Sequence, residues 1–224
     1  MSTSAPAPIG DETPHAARLS RLAGIYAIAG GPDLVERAGA AIEGGARVVQ
    51  VRWKDAPAGA VLAAARRVVE LARGRALVMV NDRADLALLS GADGVHVGAD
   101  DLPVAEARRL VGPDLLVGRT CRTFDEAKWA IADGADHVGF GPMFETTTKQ
   151  VGVPPRPLSA LREVATSLGA PVVAIGGVTL ERIGEIAAAG AACAAVIGDL
   201  FDRGDPRERA RLLAAAFEAG RAPR

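Results

Sequence analysis

The sequence predicts a single closed (β/α)8 barrel of the TIM type over residues 21–224, preceded by an N-terminal tail of residues 1–20. Three observations predict it. Short apolar runs alternate with helical stretches eight times, the pattern of a parallel sheet with crossover helices. Several of those runs stop abruptly at polar residues, as VMVND does at 78–82, and this is how parallel α/β proteins deliver chemistry to the carboxyl edge of the sheet. A chain of 224 residues is long enough for one large α/β domain and too short for two ordinary ones. A doubly wound open sheet is the alternative for the same alternation.

Residues 1–20 are rich in Ala and Pro and read as a mobile tail, because they offer little apolar surface to bury. They lack the basic region and apolar core of a signal peptide. The first strand is Gly24–Ala29, ended by Gly30-Gly31-Pro32; a helix follows over 33–43, closed by Gly44-Gly45. The second strand spans 47–52, and its continuation places Gln50, Arg52 and Lys54 at alternating positions on one face. The Ala/Leu/Val/Arg run Ala58–Ala72 is helical. The third strand (76–81), a helix (83–89), the fourth strand (94–98) and a helix opened by Pro103 (103–110) repeat the unit. The fifth strand is 115–119 with helix 123–133, and the sixth is His137–Phe140. The longest loop, 141–157, follows it, and loops of that length in compact domains are usually functional or disordered. Helix Leu158–Ser167, strand 171–175, helix 179–189, strand 193–197 and helix 206–219 complete the count. A Gly-Ala step precedes every second strand, at 45–46, 91–92, 134–135 and 190–191, and reads as helix ends rather than as ancient duplication.

Composition narrows the function. With 26 basic and 27 acidic residues interspersed and a net charge of −1, no broad field attracts nucleic acid or an anionic membrane. Any anion must be bound locally. The two cysteines, Cys121 and Cys193, stand far apart and outside any CxxC or Cys/His cluster, which excludes a zinc site of the usual spacing and fits a reducing cytoplasm. No stretch approaches a membrane span. The expected partners are small-molecule substrates, with a homo-oligomer left open.

The chemistry concentrates at strand ends. Asn81-Asp82 closes the third strand and Asp100-Asp101 follows the fourth, so Asp82 and Asp101 can share one hard cation, with Mg²⁺ the natural choice beside a phosphorylated substrate. A single such Asp is more often a helix cap. Arg52, Lys54 and Arg119 sit at neighbouring strand ends, and Thr146, Thr148 and Lys149 bring hydroxyls and a cation to the long loop, a set suited to a diphosphate. Gly176-Gly177 after the seventh strand and Gly198 after the eighth are placed to let a phosphate approach backbone N–H groups. A metal-bound diphosphate ringed by cations is a leaving-group site, stabilising charge that grows as a C–O bond breaks. No Ser/His/Asp triad or activated Cys is evident; His96 reads as a packed, hydrogen-bonded residue inside the barrel.

These residues resemble thiamine phosphate synthases from about Gly24 to Phe201. The matching motifs are Gln50-x-Arg52-x-Lys54, NDRADLAL at 81–88, ADGVHVG-x-x-D at 92–101, GADHVGFGPMF at 134–144, Thr146-x-Thr148-Lys149, and VAIGGV at 173–178. The resemblance implies a (β/α)8 barrel that joins 4-amino-2-methyl-5-hydroxymethylpyrimidine diphosphate to a thiazole phosphate, or to its 2-carboxy form, releasing diphosphate by a Mg²⁺-assisted dissociative substitution. It implies Asp82 and Asp101 as metal ligands. Arg52, Lys54, Asn81 and Lys149 would hold the diphosphate, and Arg52, Lys54 and Lys149 would thereby act in catalysis. Gln50 would lie near the pyrimidine, Thr120 would supply a hydroxyl, and Thr146, Thr148, Gly177, Ile197 and Gly198 would receive the thiazole phosphate. The chain departs from the family pattern at Ala99, Arg122, Trp53 and Asp199. Two other readings of the same barrel are a thiazole tautomerase and a non-catalytic binding homologue; the tautomerase looks for His where this chain has Arg122.

Overall fold

The computed structural model describes residues 13–145 and 153–221. Eight strands, β1 (Gly24–Ala29), β2 (Val48–Val51), β3 (Leu77–Asn81), β4 (Gly94–Val97), β5 (Leu116–Cys121), β6 (His137–Phe140), β7 (Val172–Ala174) and β8 (Cys193–Val196), pair in sequence order into a closed barrel. Every pairing is parallel, and closure is made by β1 against β8, with Gly24 opposite Cys193 and Ala27 opposite Val196. The open-sheet alternative is thereby excluded. Helices α1 (Pro14–Ser20), α2 (Leu34–Glu43), α3 (Ala58–Ala72), α4 (Ala84–Ser90), α5 (Val104–Val111), α6 (Phe124–Ala132), α7 (Leu158–Ser167), α8 (Ile183–Ala188), α9 (Gly198–Phe201) and α10 (Pro206–Gly220) complete the described chain.

The two-residue period of the strands sorts side chains into two cores. Outward residues such as Ala27, Val49, Val78, Val95, Val117, Val138 and Ala194 pack under the helices. Inward residues Tyr26, Val48, Leu77, Met79, Leu116, Val173 and Cys193 fill the lower barrel, so its base is solid. Above that layer the inward positions turn polar, and the barrel opens at its carboxyl end.

Residues 14–20, expected in the mobile tail, are instead helical. Thr13 caps α1 through its hydroxyl, which accepts from Ala16 N at 3.2 Å, and Pro14 opens the first turn. The helix then closes the base of the barrel: Leu19 and Leu22 join the inner core, Arg18 pairs with Asp93 at 3.0 Å, and His15 meets Asp136 at 2.7 Å. Polar anchors hold a segment whose apolar content alone does not predict order; residues 1–12 lie outside the described part. Element ends move by one to four residues elsewhere. β5 runs two residues further than expected and so carries Thr120 on the strand, and α8 starts only at Ile183 because Thr179 to Arg182 form a turn.

Candidate active site

The carboxyl ends of the strands surround a cavity of about 1760 Å³, roomy enough for two small substrates at once. Gln50, Arg52, Lys54, Asn81, Asp82, Asp101, Arg119, Thr120, Gly177, Ile197 and Gly198 all line it. Thr146, Thr148 and Lys149 lie outside the described residues.

The β3–β4 arc carries the acids. Asp82 has φ +63, a left-handed conformation seldom taken by residues other than glycine, and its N–H donates to His96 O at 2.8 Å. This turn swings the carboxylate out of the strand line and into contact with that of Asp101. Burial, and then the neighbouring Asp101, raise the Asp82 pKa above the ordinary carboxylate value, while Lys54 at 3.2 Å pulls it back. Asp101 is fixed from below, its Oδ2 accepting from Gly98 N at 2.9 Å. Strain and like-charge contact together cost stability, and such costs persist where a site binds something.

The cations are placed differently from one another. Lys54 faces Asp82, whereas Arg52 is half-buried on the cavity wall and has no ion-pair partner among the described residues. The strand carrying Arg52 approaches the end of β1 so closely that a Cβ at Gly30 would stand 2.5 Å from Arg52 O. Arg119, expected to converge on the anion, donates to the carbonyls of Gly98 and, at 3.3 Å, Ala99, so it braces the loop that presents Asp101.

The opposite arc is backbone. Gly177, at φ +65, packs so tightly that a Cβ would run into the carbonyl of Glu145 and the Phe144 side chain. Gly198 opens α9, the short helix after β8 that the sequence analysis did not predict as an element. Sequence reasoning also missed Arg182 and Arg203 on this side of the cavity; Arg182 stacks over the Phe144 ring at 4.7 Å. Nothing in their local sequence distinguishes them from other exposed arginines.

Below lies a buried polar floor. Gln50 Nε2 donates to the Tyr26 hydroxyl at 2.9 Å, and His96 contacts Thr120 Oγ1 at 3.0 Å and His137 at 3.4 Å. Burial, with help from the nearby Arg119 charge, lowers the His96 pKa to about 4. Burial pushes the Cys121 thiol up to about 12, which leaves no reactive thiolate in the wall.

A family model described as thiamine monophosphate synthase matches residues 25–200. The chain belongs to the thiamine monophosphate synthase family. A thiamine-phosphate synthase of Anaeromyxobacter dehalogenans is 63% identical over 217 residues, covering 97% of this chain and 98% of the relative. One of Myxococcus xanthus is 50% identical over 190 residues, covering 84% of this chain and 87% of its own length. A solved thiamine phosphate pyrophosphorylase from Pyrococcus furiosus superposes with a TM-score of 0.83 at 32% identity, over 90% of this chain and 98% of that one. A 3-hexulose-6-phosphate synthase at 21% identity and TM-score 0.64 shares the fold alone. The chain is thus an enzyme of a transferase family, as its motifs implied, and among the described residues no helix is long and apolar enough to cross a membrane.

Within the thiamine monophosphate synthase family pattern, one departure finds a structural account. The Asp199 carboxylate, at the edge of the cavity, pairs with Arg209 at 2.8 to 3.0 Å and accepts from Leu180 N at 3.2 Å, so its charge is neutralised beside the glycine arc. Arg122 donates to Glu126 Oε2 at 2.6 Å through its backbone N–H, and nothing in the structure explains the arginine side chain there.

Proposed function

We propose that this chain joins 4-amino-2-methyl-5-hydroxymethylpyrimidine diphosphate to a thiazole phosphate, giving thiamine phosphate and diphosphate. The observation that carries this reading is that one cavity has two unlike arcs: a carboxylate pair with Lys54 and Arg52 on the same side, and across from it the glycine backbone at 177 and 198, each suited to a different phosphorylated group. A single phosphorylated substrate has no use for both.

The acidic arc fits a divalent cation. Two carboxylates in contact, one with its pKa raised by burial and by the other, are relieved by a hard cation that takes one or two carboxylates and fills its remaining positions with water and phosphate oxygens. Asp82 and Asp101 would hold Mg²⁺. Bound there, it would neutralise charge on the departing diphosphate. Arg52 and Lys54 supply fixed positive charge to the same oxygens, with Lys149 of the long loop as a further cation, and this stabilisation grows as the C–O bond breaks. Asn81 orients the diphosphate, and Gln50 and Thr120 meet the pyrimidine. The aminopyrimidine spreads the developing positive charge at its exocyclic carbon, which the thiazole nitrogen captures. Gly177, Ile197 and Gly198, with Thr146 and Thr148, hold the thiazole phosphate so that its nitrogen faces that carbon, and pre-paid orientation of this kind is a large part of the acceleration.

The test is thiamine phosphate formation from the two substrates with Mg²⁺ and then with a chelator. Metal-dependent product is expected. Folded protein that binds thiazole phosphate yet makes no product would overturn the reading in favour of a binding homologue.

A further inference from the structure

Inside the barrel, where β4, β5 and β6 meet, two imidazoles lie side by side with ring centroids 5.5 Å apart and planes at 39°. His137 is fully buried and His96 nearly so. The chain makes room for them. A Cβ at Gly118 would overlap His137 and come within 2.5 Å of His96 Nδ1, and one at Gly139 would crowd His96 Cε1 at 3.1 Å. Neither glycine has the left-handed backbone that would otherwise explain it, so both are there for the volume of the two rings.

The rings form a line. His137 Nε2 faces His96 Nδ1 at 3.4 Å, His96 Nε2 faces Thr120 Oγ1 at 3.0 Å, and Thr120 lines the cavity. At the inner end His137 Nδ1 is buried with no hydrogen-bond partner among the described residues. Both rings are buried, and their hydrogen-bond partners among the described residues are each other and a hydroxyl, none of them a carboxylate that would stabilise an imidazolium, so both are neutral. Each ring therefore carries one N–H and one bare nitrogen, and two arrangements satisfy the line. In one, His137 Nε2–H donates to His96 Nδ1, His96 Nε2–H donates to Thr120, and the orphan Nδ1 is a bare lone pair. In the other all directions reverse, and the orphan is a buried N–H. Orphaned N–H groups are the rarer and costlier defect, so the first arrangement wins.

We infer that the His137–His96 pair fixes the direction of the Thr120 hydroxyl: one lone pair of its oxygen accepts from His96, and its hydrogen is offered to the cavity. Thr120 is then a specificity group for a ligand atom with a free lone pair, a ring nitrogen or a phosphate oxygen. His96 and His137 are positioning residues. Thr120 stands on β5, next to β4, whose His96 it meets, so, resting on the proposed reaction, the acceptor belongs to the pyrimidine diphosphate.

The inference is tested first in the ligand-free protein by ¹⁵N NMR of labelled imidazoles at neutral pH. Protonated Nε2 and bare Nδ1 on both rings are expected; Nδ1–H on either ring overturns it. Kinetics supply the second arm. His96→Gln keeps an N–H near the Nε2 position and should leave KM for the pyrimidine diphosphate within about threefold of wild type, while His96→Leu should raise it about tenfold with kcat little changed, the scale of one hydrogen bond. Equal damage in both variants, or none in His96→Leu, overturns it. Should His96→Leu not fold, Thr120→Val reports the same KM, and an unchanged value there overturns the inference. A wild-type enzyme that makes no thiamine phosphate while showing the expected tautomers would remove the proposed reaction and leave the hydroxyl direction standing.

Discussion

The two ends of the barrel use the same residue types for opposite purposes. At the base, Asp93 and Asp136 each follow a Gly-Ala step and turn back onto the preceding strand, accepting from Val78 N at 2.8 Å and Val117 N at 2.7 Å. Arg18 completes Asp93, and Arg108 with His15 completes Asp136. Every carboxylate oxygen of the two has a donor, and the charges lock strand starts to α1 and α5. At the mouth, Asp82 and Asp101 press against each other and Arg52 lacks an ion-pair partner among the described residues. Asp93 and Asp136, before their strands, are spent on the fold; Asp82 and Asp101, after theirs, are the pair that the proposed reaction keeps for a ligand.

The sharpest way to break this contrast is to neutralise one acid at each end. Asp82→Asn should lower kcat on the order of 100-fold, the scale of removing one strong stabiliser of developing charge, while KM for thiazole phosphate moves less than threefold and the fold is not destabilised. Asn tolerates the left-handed backbone and removes the like-charge contact. Asp136→Ala should do the reverse, costing about 1–3 kcal/mol in denaturant unfolding by leaving buried donors unpaired, with kcat/KM unchanged in the surviving folded enzyme. A loss of stability in the first variant, or of turnover in the second, would erase the distinction.

Gly177→Ala probes the other arc of the mouth. The left-handed backbone and the Glu145 carbonyl oppose a Cβ there, so a strain of about 1–2 kcal/mol should appear as a raised KM for thiazole phosphate, with the pyrimidine diphosphate KM unaffected. The smallest effect is in acid–base behaviour. Because the folded pKa of Asp82 is raised, its contribution favours the fold most below the ordinary carboxylate range and is lost as pH rises through the raised value. Without divalent metal, wild type should therefore lose stability relative to Asp82→Asn over that window. Mg²⁺ at neutral pH should recover it as a rise in Tm of wild type and not of the variant; identical Tm shifts in both would dissociate the metal from Asp82.

Much of the mouth was legible because an apolar run that ends in Asn81-Asp82, or alternates Gln50, Arg52 and Lys54, announces both a strand and its direction. The base was not. Asp93 and Asp136 look like ordinary loop acids until the strands beside them are known, and α1 and α9 are shorter than the periodicity that reveals helices. The lack of an ion-pair partner for Arg52 among the described residues and the left-handed backbone at Asp82 are tertiary facts. His137 is the clearest case. Its sequence, HVGF, says only that a strand is present, and its meaning depends on β5 placing Gly118 opposite it in register.

Closure by β1 and β8 also orders the assembly of the protein. Gly24 and Cys193 are neighbours in the barrel yet stand near opposite ends of the chain, a highly non-local contact of the kind that slows folding. Until β8 docks, β1 and β7 both present unpaired edges, which invite pairing with other chains. As the polypeptide leaves the ribosome, the carboxylate arc after β3 and β4 is translated long before Gly198, so a product that stops before β8 lacks one side of the cavity. The newborn chain completes the rim of its cavity and loses its adhesive edges in the same step.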